Sequence, residues 1–240
     1  MRTKIKKHNK NTKIYIITIL AASILLLTYQ LPFLISQFSF LNSPQPLPCA
    51  NSLSCTKDLS GKYDVTQKNG EFMGHSIPIP TNMFDQKIAS PSVLGKSTLT
   101  IGKKIYVDLT TQKLYAFEGN RLVYGFTISS GKWNPTPVGK FYIWTKLLAT
   151  HMEGGEKTNN TYYNLPNVPY TMYFYNENVG KWNGYGIHGA YWPINFGRPE
   201  SFGCIAMQIK DAAKLYYWAD AEPANPPTPV IIFGKAPIIY

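Results

Sequence analysis

Residues 104–128 read KIYVDLTTQKLYAFEGNRLVYGFTI and contain three short runs rich in Tyr, Val, Ile and Phe. TTQ and EGN separate these runs, a pattern typical of turns between antiparallel strands. Residues 208–220 instead show the apolar spacing of a helix. The sequence therefore predicts a mainly β domain, a sandwich or barrel, with one late helix. Further strand-like runs are KFYIW (140–144), VPYTMYFY (168–175), YGIH (185–188), GCIAM (203–207) and PVIIFG (229–234).

The composition indicates a folded chain whose basic charge is concentrated at one end. Of the 240 residues, 44% are hydrophobic and 15% are charged, which excludes an intrinsically disordered or collagen-like protein. Six of the 24 basic residues lie within residues 1–13, and no acidic residue precedes Asp58. Because the net charge of +11 owes so much to this segment, we expect no nucleic-acid partner.

A long apolar segment, residues 14–35, follows the basic one. At about 1.5 Å per helical residue it would span about 33 Å, enough to cross a hydrocarbon core of about 30 Å. The preceding positive charges predict a cytoplasmic tail at residues 1–13, a single membrane span and an extracytoplasmic remainder at the cell membrane. A cleaved signal peptide is the alternative.

The remainder divides into a spacer and irregular or two-stranded leader at 36–99, the folded domain at 100–234 and a tail at 235–240. Cys49 and Cys55 are candidates for a local disulfide in an oxidising compartment. If they pair, the remaining cysteine, at position 204, is a candidate nucleophile or a buried thiol that packs as a small hydrophobe.

The candidate chemistry lies in residues 186–207, GIHGAYWPINFGRPESFGCIAM. Cysteine attacks as a thiolate, and an imidazole within hydrogen-bond reach, here His188, is the usual group that forms it. The oxyanion formed in acyl transfer needs N–H donors, and Gly203 directly precedes Cys204. A core cysteine beside a structural histidine is the alternative.

This segment resembles the signature of the L,D-transpeptidases, the YkuD domain: His-Gly, a spacer, then Ser-His-Gly-Cys, an apolar residue and Arg or Asn. The chain has His188-Gly189 and then Ser201-Phe202-Gly203-Cys204-Ile205-Ala206. The resemblance extends over roughly residues 100 to 234, because YVDLTTQKLYAFEGNRLVYGFTISSGK and TPVGKFYI are similar to the family's opening strands.

The resemblance implies an enzyme in which Cys204 cleaves the bond between an L-configured centre and the terminal D-Ala of a peptidoglycan stem tetrapeptide. His188, oriented by the Gly189 carbonyl, would move the proton, and the N–H groups of Gly203 and Cys204 would form the oxyanion hole. Ser201 would hydrogen-bond within the loop. An amine acceptor would give a 3→3 cross-link in cell-wall biogenesis, and water would give L,D-carboxypeptidase activity. No metal or organic cofactor is implied.

Two positions depart from the family pattern. Phe202 stands where family members usually have His, and Ala206 stands where they have Arg or Asn, so two hydrogen-bonding side chains are lost. We expect an active but altered enzyme, with a catalytically impaired wall-binding protein as the alternative. Arg198 is a candidate for binding the stem's carboxylate, and Tyr191 and Trp192 are candidates for lining a stem or glycan groove.

Residues 147–166 lie where the family commonly carries a flap, and we expect a mobile polar loop with a candidate hinge at Gly154-Gly155. A sortase-like transpeptidase fits less well, because Cys204 follows Ser-Phe-Gly and no arginine occurs after Arg198. Papain-like peptidases have the cysteine before the histidine, the reverse of the order in this chain.

Overall fold

The computed structural model describes residues 58–85, 102–132 and 135–238 of the chain. The predicted basic tail, the predicted membrane span and the candidate disulfide between Cys49 and Cys55 lie outside these residues. Within them, no helix combines the length and the apolar character needed to cross a membrane.

Ten strands and one α-helix form the regular structure of the described residues, together with short 3-10 turns at Lys157–Asn159 and Lys181–Asn183. The helix, α1, covers Ile209–Trp218. A mainly β fold with one late helix is therefore confirmed. The strands are β1 Asn69–Phe72, β2 His75–Pro78, β3 Lys103–Asp108, β4 Lys113–Glu118, β5 Arg121–Ser129, β6 Gly139–Gly154, β7 Tyr163–Tyr175, β8 Gly186–Ala190, β9 Ile205–Gln208 and β10 Pro229–Phe233.

Eight of these strands close into a barrel. Their order is β7-β6-β10-β3-β4-β5-β9-β8, and β8 pairs again with β7. Two neighbouring pairs, β10 with β3 and β8 with β9, are parallel, and the others are antiparallel. Strands β1 and β2 form a hairpin that pairs with the N-terminal part of β7. The hairpin lies in the segment predicted as a leader, and the domain boundary near residue 99 stays a prediction.

Apolar side chains form two clusters on opposite faces of the sheet, because successive residues of a strand point to opposite sides. On β9, Ile205 and Met207 belong to one cluster and Ala206 belongs to the other. The core cluster includes Ile105, Leu114, Phe141, Phe174, Ile187, Ile205, Met207 and Leu215. The pocket cluster consists of Leu147, Met152, Tyr163, Leu165, Val168, Tyr173, Ala190, Trp192 and Ala206.

Helix α1 follows β9 directly and packs against β7 and β8. Its buried side is apolar and includes Leu215 and Trp218. The Lys146 ammonium donates a 2.6 Å hydrogen bond to the carbonyl of Ala219, at the helix C-terminus, where a positive charge also interacts favourably with the helix dipole. The helix thus packs on β8, which carries His188, and continues directly from β9, which Cys204 precedes.

The predicted loop at residues 147–166 is instead a β-hairpin. Strand β6 runs to Gly154 and pairs with β7, with Met152 opposite Leu165 and Gly154 opposite Tyr163. A side chain on Gly154 would lie 2.5 Å from the Tyr163 hydroxyl, so this glycine permits a close approach rather than a hinge. The loop prediction was wrong because the alternating burial of Met152 and its neighbours is obscured by the polar residues around the turn.

Candidate active site

Strands β8 and β9 bring the predicted histidine and cysteine to one pocket. They pair in parallel, with Ile187 opposite Ile205 and His188 opposite Ala206. Cys204 is the residue immediately before β9, so its position is set by this register. His188 and Cys204 both line a narrow pocket with a volume of about 30 Å³.

The imidazole of His188 is buried, with 2% of the residue exposed. Burial lowers its pKa from 6.5 to about 4, because the charged imidazolium loses its water, and the hydrogen bond to Gly189 opposes this shift. Nδ1 lies 3.1 Å from the Gly189 carbonyl oxygen. Since a carbonyl can only accept, Nδ1 carries the proton in this contact and Nε2 of the neutral ring is left as a base.

Cys204 is also buried, with 3% exposed, and its Sγ lies 3.7 Å from the carbonyl oxygen of Gly184, to which the thiol donates. The residue before it, Gly203, has a φ of +131°, which L side chains rarely adopt. Gly203 therefore gives the backbone next to Cys204 a conformation that a residue with a side chain could adopt only with strain.

Ser201 stabilises the loop around Cys204. Its hydroxyl donates to the Cys204 carbonyl oxygen and accepts a 3.2 Å hydrogen bond from the N–H of Gly203. The Gly203 N–H, a predicted oxyanion donor, is therefore engaged within the loop in this structure.

Thr136 is a second anchor of the same loop, and sequence analysis did not single it out. Its hydroxyl donates to the Gly203 carbonyl oxygen at 2.8 Å and accepts from the Gly131 N–H at 2.8 Å. The N–H of Ser201 donates to the carbonyl of Ser130 at 3.0 Å. Thr136 is the first residue of TPVGKFYI, a segment that is part of the family resemblance, and this was the sequence signal that could have drawn attention to it.

Buried Gln112 in turn fixes Ser130. The Gln112 side chain donates to the Ser130 hydroxyl and accepts from the Ser130 N–H, both at 2.8 Å. A lone glutamine in a predicted turn gave no sequence signal for this role. The cysteine loop thus rests on a continuous set of hydrogen bonds that begins in the β3–β4 turn.

Aromatic side chains form the wall of the narrow pocket. Phe202 stacks on Tyr163 at a ring-centroid distance of 5.2 Å, and Trp192 lies 5.6 Å from the His188 ring. Phe72, from β1, lies 6.0 Å from the Trp192 ring. The position at which the family usually has His is therefore occupied here by a packing residue.

A wider groove, with a volume of about 460 Å³, adjoins the narrow pocket. The two share Phe72, Glu200, Ser201 and Phe202 among their lining residues. Lys132 also lines the groove. The narrow pocket thus continues into an apolar groove that is also lined by one basic residue, Lys132, and one acidic residue, Glu200.

The other predicted residues are divided between the site and its surroundings. Trp192 lines the narrow pocket, whereas Arg198 is exposed and lines neither the pocket nor the groove. Tyr191 also lines neither; its hydroxyl donates to the Pro166 carbonyl at 2.6 Å, and burial raises its pKa. Ala206 is fully buried in the pocket cluster.

No cluster of three His, Cys, Asp or Glu side chains within the described ranges could hold a metal ion. His151 and Glu153 are engaged within the β6–β7 hairpin: the His151 ring is hydrogen-bonded to Asn164 at 2.8 Å, and Glu153 accepts from the Tyr162 hydroxyl at 2.7 Å.

The model of the L,D-transpeptidase catalytic domain, YkuD, matches residues 102–232. The chain belongs to the L,D-transpeptidase family. No curated protein sequence matches it.

Solved structures of L,D-transpeptidases are similar to this chain. The enzyme from Mycobacterium smegmatis shares 22% identity over 55% of this chain and 58% of its own, with a TM-score of 0.48. A cysteine-to-serine mutant of the Enterococcus faecium enzyme shares 29% identity over 55% of this chain and 50% of its own, with a TM-score of 0.45. The matched region thus spans between half and three fifths of these two relatives.

Proposed function

We propose that the protein is a peptidoglycan L,D-transpeptidase that uses Cys204 as its nucleophile. One observation carries this proposal: His188 and Cys204 line the same narrow pocket, with the histidine oriented by Gly189 so that Nε2 is a base. Family membership supplies the reaction class. The donor is a stem tetrapeptide, and the bond cleaved joins its L-configured centre to the terminal D-Ala.

The reaction proceeds through a thioester. Nε2 of His188 takes the thiol proton as Sγ of Cys204 attacks the carbonyl carbon. The C–N bond then breaks, and the imidazolium returns the proton to the amine of the departing D-Ala. In the second half, an acceptor amine attacks the thioester, the C–S bond breaks, and the new amide is the 3→3 cross-link.

The low pKa of His188 favours general-base catalysis over a stable thiolate–imidazolium pair in the resting enzyme. A buried imidazole with a pKa of about 4 holds a proton poorly. Proton transfer is therefore expected to accompany attack on the carbonyl, and the histidine stays neutral and active in mildly acidic solution.

The oxyanion of the tetrahedral intermediate is stabilised by backbone donors, the N–H groups of Cys204 and Gly203. Because the Gly203 N–H is bonded to Ser201 at 3.2 Å, it joins the oxyanion hole only when the serine hydroxyl releases it. Ser201 is in this proposal a positioning residue that holds the loop before substrate binds.

We also propose that residues 14–35 anchor the protein in the cell membrane and place the catalytic domain on the extracytoplasmic side. The apolar length of this segment and the basic residues before it support this orientation. Peptidoglycan stem peptides are found on that side, so the topology agrees with the proposed substrate.

The test is incubation of the protein with disaccharide-tetrapeptide muropeptides, followed by mass spectrometry. We expect D-Ala release and a cross-linked dimer, both lost in Cys204→Ala by roughly a thousandfold or more. D-Ala release without dimer would instead identify an L,D-carboxypeptidase. If folded protein shows no Cys204-dependent change, the assignment fails and a wall-binding role without catalysis remains.

A further inference from the structure

The β1–β2 hairpin contributes to the catalytic pocket although it lies outside residues 102–232, the range matched to the family. Phe72, the last residue of β1, lines both the narrow pocket and the wider groove. Its neighbour Met73 lines the groove. The pocket wall therefore includes a residue from outside the range matched to the family.

Backbone contacts fix the position of Phe72. It pairs with Tyr163 on β7, and the next residue, Met73, donates its N–H to the Tyr162 carbonyl oxygen at 2.8 Å. At Gly70, an added side chain would meet the Tyr191 hydroxyl at 2.9 Å, so the hairpin is packed closely against the sheet. The Phe72 ring is therefore held by the sheet and is not a chance contact of a loose segment.

A short chain of ring contacts joins Phe72 to the catalytic histidine. The Phe72 ring lies 6.0 Å from Trp192, and the Trp192 ring lies 5.6 Å from His188. The narrow pocket between these rings and Cys204 has a volume of about 30 Å³. A cavity needs about 10 to 15 Å³ of such space to hold one water molecule, so this pocket has room for only one or two groups of the size of a water molecule or a methyl group.

We propose that Phe72 is a specificity-determining residue that limits the side chain bound next to the Cys204 sulfur to about the size of a methyl group. The inference rests on the proposed function and names the selectivity of that site. D-Ala, whose side chain is a methyl group, fits this limit. Phe72→Ala would enlarge the pocket and admit larger residues.

The reverse of D-Ala release gives a direct readout of this selectivity. When a free D-amino acid attacks the Cys204 thioester, its amine forms the new C–N bond, the C–S bond breaks, and a proton passes through His188 to the sulfur. By microscopic reversibility, the incoming residue occupies the place that the leaving D-Ala vacated. The ratio of exchange products therefore reports which side chains fit.

The experiment is incubation of the full-length protein with disaccharide-tetrapeptide and equal amounts of isotopically labelled D-Ala and D-Leu. Mass spectrometry measures the ratio of the two exchange products. We expect the unchanged protein to favour D-Ala by roughly tenfold or more, the scale on which pockets discriminate between apolar side chains. Phe72→Ala should lower this ratio about tenfold, and Phe72→Leu should lower it less.

Ile77→Ala is the matched control. Ile77 is on the same hairpin and packs against the same pocket cluster, but it lines neither the pocket nor the groove. Its replacement should loosen the hairpin without widening the pocket, so the product ratio should stay that of the unchanged protein.

The outcomes separate the two proposals. Turnover by the unchanged protein with the same product ratio in Phe72→Ala would overturn the role of Phe72 and leave the transpeptidase function intact. An equal shift in Ile77→Ala would also overturn it, since loosening alone would then be sufficient. Loss of all turnover in folded Phe72→Leu would contradict a role in size selection. If the unchanged protein gives no D-Ala release, no cross-linked dimer and no exchange product, the proposed function and this inference are overturned together; release or dimer without any exchange product would overturn this inference alone.

Discussion

The core cluster and the pocket cluster lie on opposite faces of the same strands and differ in what they contain. On β8 and β9, Ile187 and Ile205 face the core cluster, whereas His188 and Ala206 face the pocket. Both clusters are almost fully buried and bordered by partly buried side chains. Met152, Tyr163, Leu165 and Trp192 of the pocket cluster line the narrow pocket, whereas Cys204 is the one member of the core cluster that does. The two faces should therefore respond differently to substitution: changes on the core face should affect mainly stability, whereas changes on the pocket face should affect activity as well as stability.

The difference has a physical cause. The core cluster buries mainly apolar side chains, and helix α1 covers one side of it. The pocket face buries the His188 imidazole. The loop around Cys204, a residue that lines the pocket and also packs in the core cluster, buries polar backbone groups that must be hydrogen-bonded to be tolerated. The hydrogen bonds of Thr136, Ser201 and Gln112 meet that need. The buried polar groups around the candidate catalytic residues therefore have hydrogen-bond partners.

The largest effect is expected from Phe141→Ala in the core cluster. Phe141 is fully buried, and removing its ring should lower the free energy of unfolding by about 3 to 5 kcal/mol, measured by urea denaturation. The turnover of the molecules that remain folded should stay close to that of the unchanged protein. Phe202→Ala is the matched control on the other face; its half-buried ring should cost less than about 2 kcal/mol. A larger loss in the free energy of unfolding for Phe202→Ala than for Phe141→Ala would contradict the proposed difference between the two faces.

A smaller effect is expected from pH, and it comes from the pocket face. The pKa of His188 is about 4 in the folded protein and near 6.5 in the unfolded chain. Between pH 4 and pH 6.5, the unfolded chain therefore binds a proton at this residue more readily than the folded protein does. Stability is therefore full above pH 6.5 and falls as the pH decreases toward 4, by roughly 2 to 3 kcal/mol from this one group.

The measurement is urea denaturation at pH 7.5 and pH 4.5 for the unchanged protein and for His188→Gln, which stays neutral. The variant should lose less stability between the two pH values, and the difference isolates the histidine. Equal losses in both proteins would mean that His188 is not buried as a neutral base.

The sequence predicted the elements of the barrel well because the strands carry dense Tyr, Val, Ile and Phe runs. The helix predicted at residues 208–220 is present at Ile209–Trp218, and the eight runs of the folded domain correspond to β3–β10. The β6–β7 hairpin was missed, because a pair of glycines and several polar residues surround its turn. Pairing of the two strands with each other, rather than local preference, extends them to this turn.

The site was predicted less completely than the fold. His188 and Cys204 could be singled out because their chemistry and spacing match a known signature, and the structure places both in one pocket. Phe72 could not be singled out, since a phenylalanine in a short polar strand has no chemical pattern of its own, and the Thr-Pro pair within the family resemblance did not indicate what Thr136 contacts. Their roles come from contacts across 67 residues of sequence for Thr136 and Gly203, and from hairpin pairing for Phe72.

The smallest expected effect on stability comes from Thr136, and it should be accompanied by a loss of activity. Thr136→Val keeps the shape but removes the hydroxyl that joins the Gly131 N–H to the Gly203 carbonyl, leaving two buried polar groups without this partner. We expect a loss of about 1 to 2 kcal/mol in urea denaturation. Because the same bond positions the residue before Cys204, kcat should fall while KM changes little.

Thr136→Ser distinguishes positioning from general destabilisation. Serine restores the hydroxyl without the methyl group, so kcat should return toward the unchanged value even if some packing is lost. If Thr136→Ser stays as slow as Thr136→Val, the hydroxyl does not position the loop. If both variants are fully active, the hydrogen bonds behind Cys204 contribute to stability alone, and the pocket face is then less different from the core face than its polar contacts indicate.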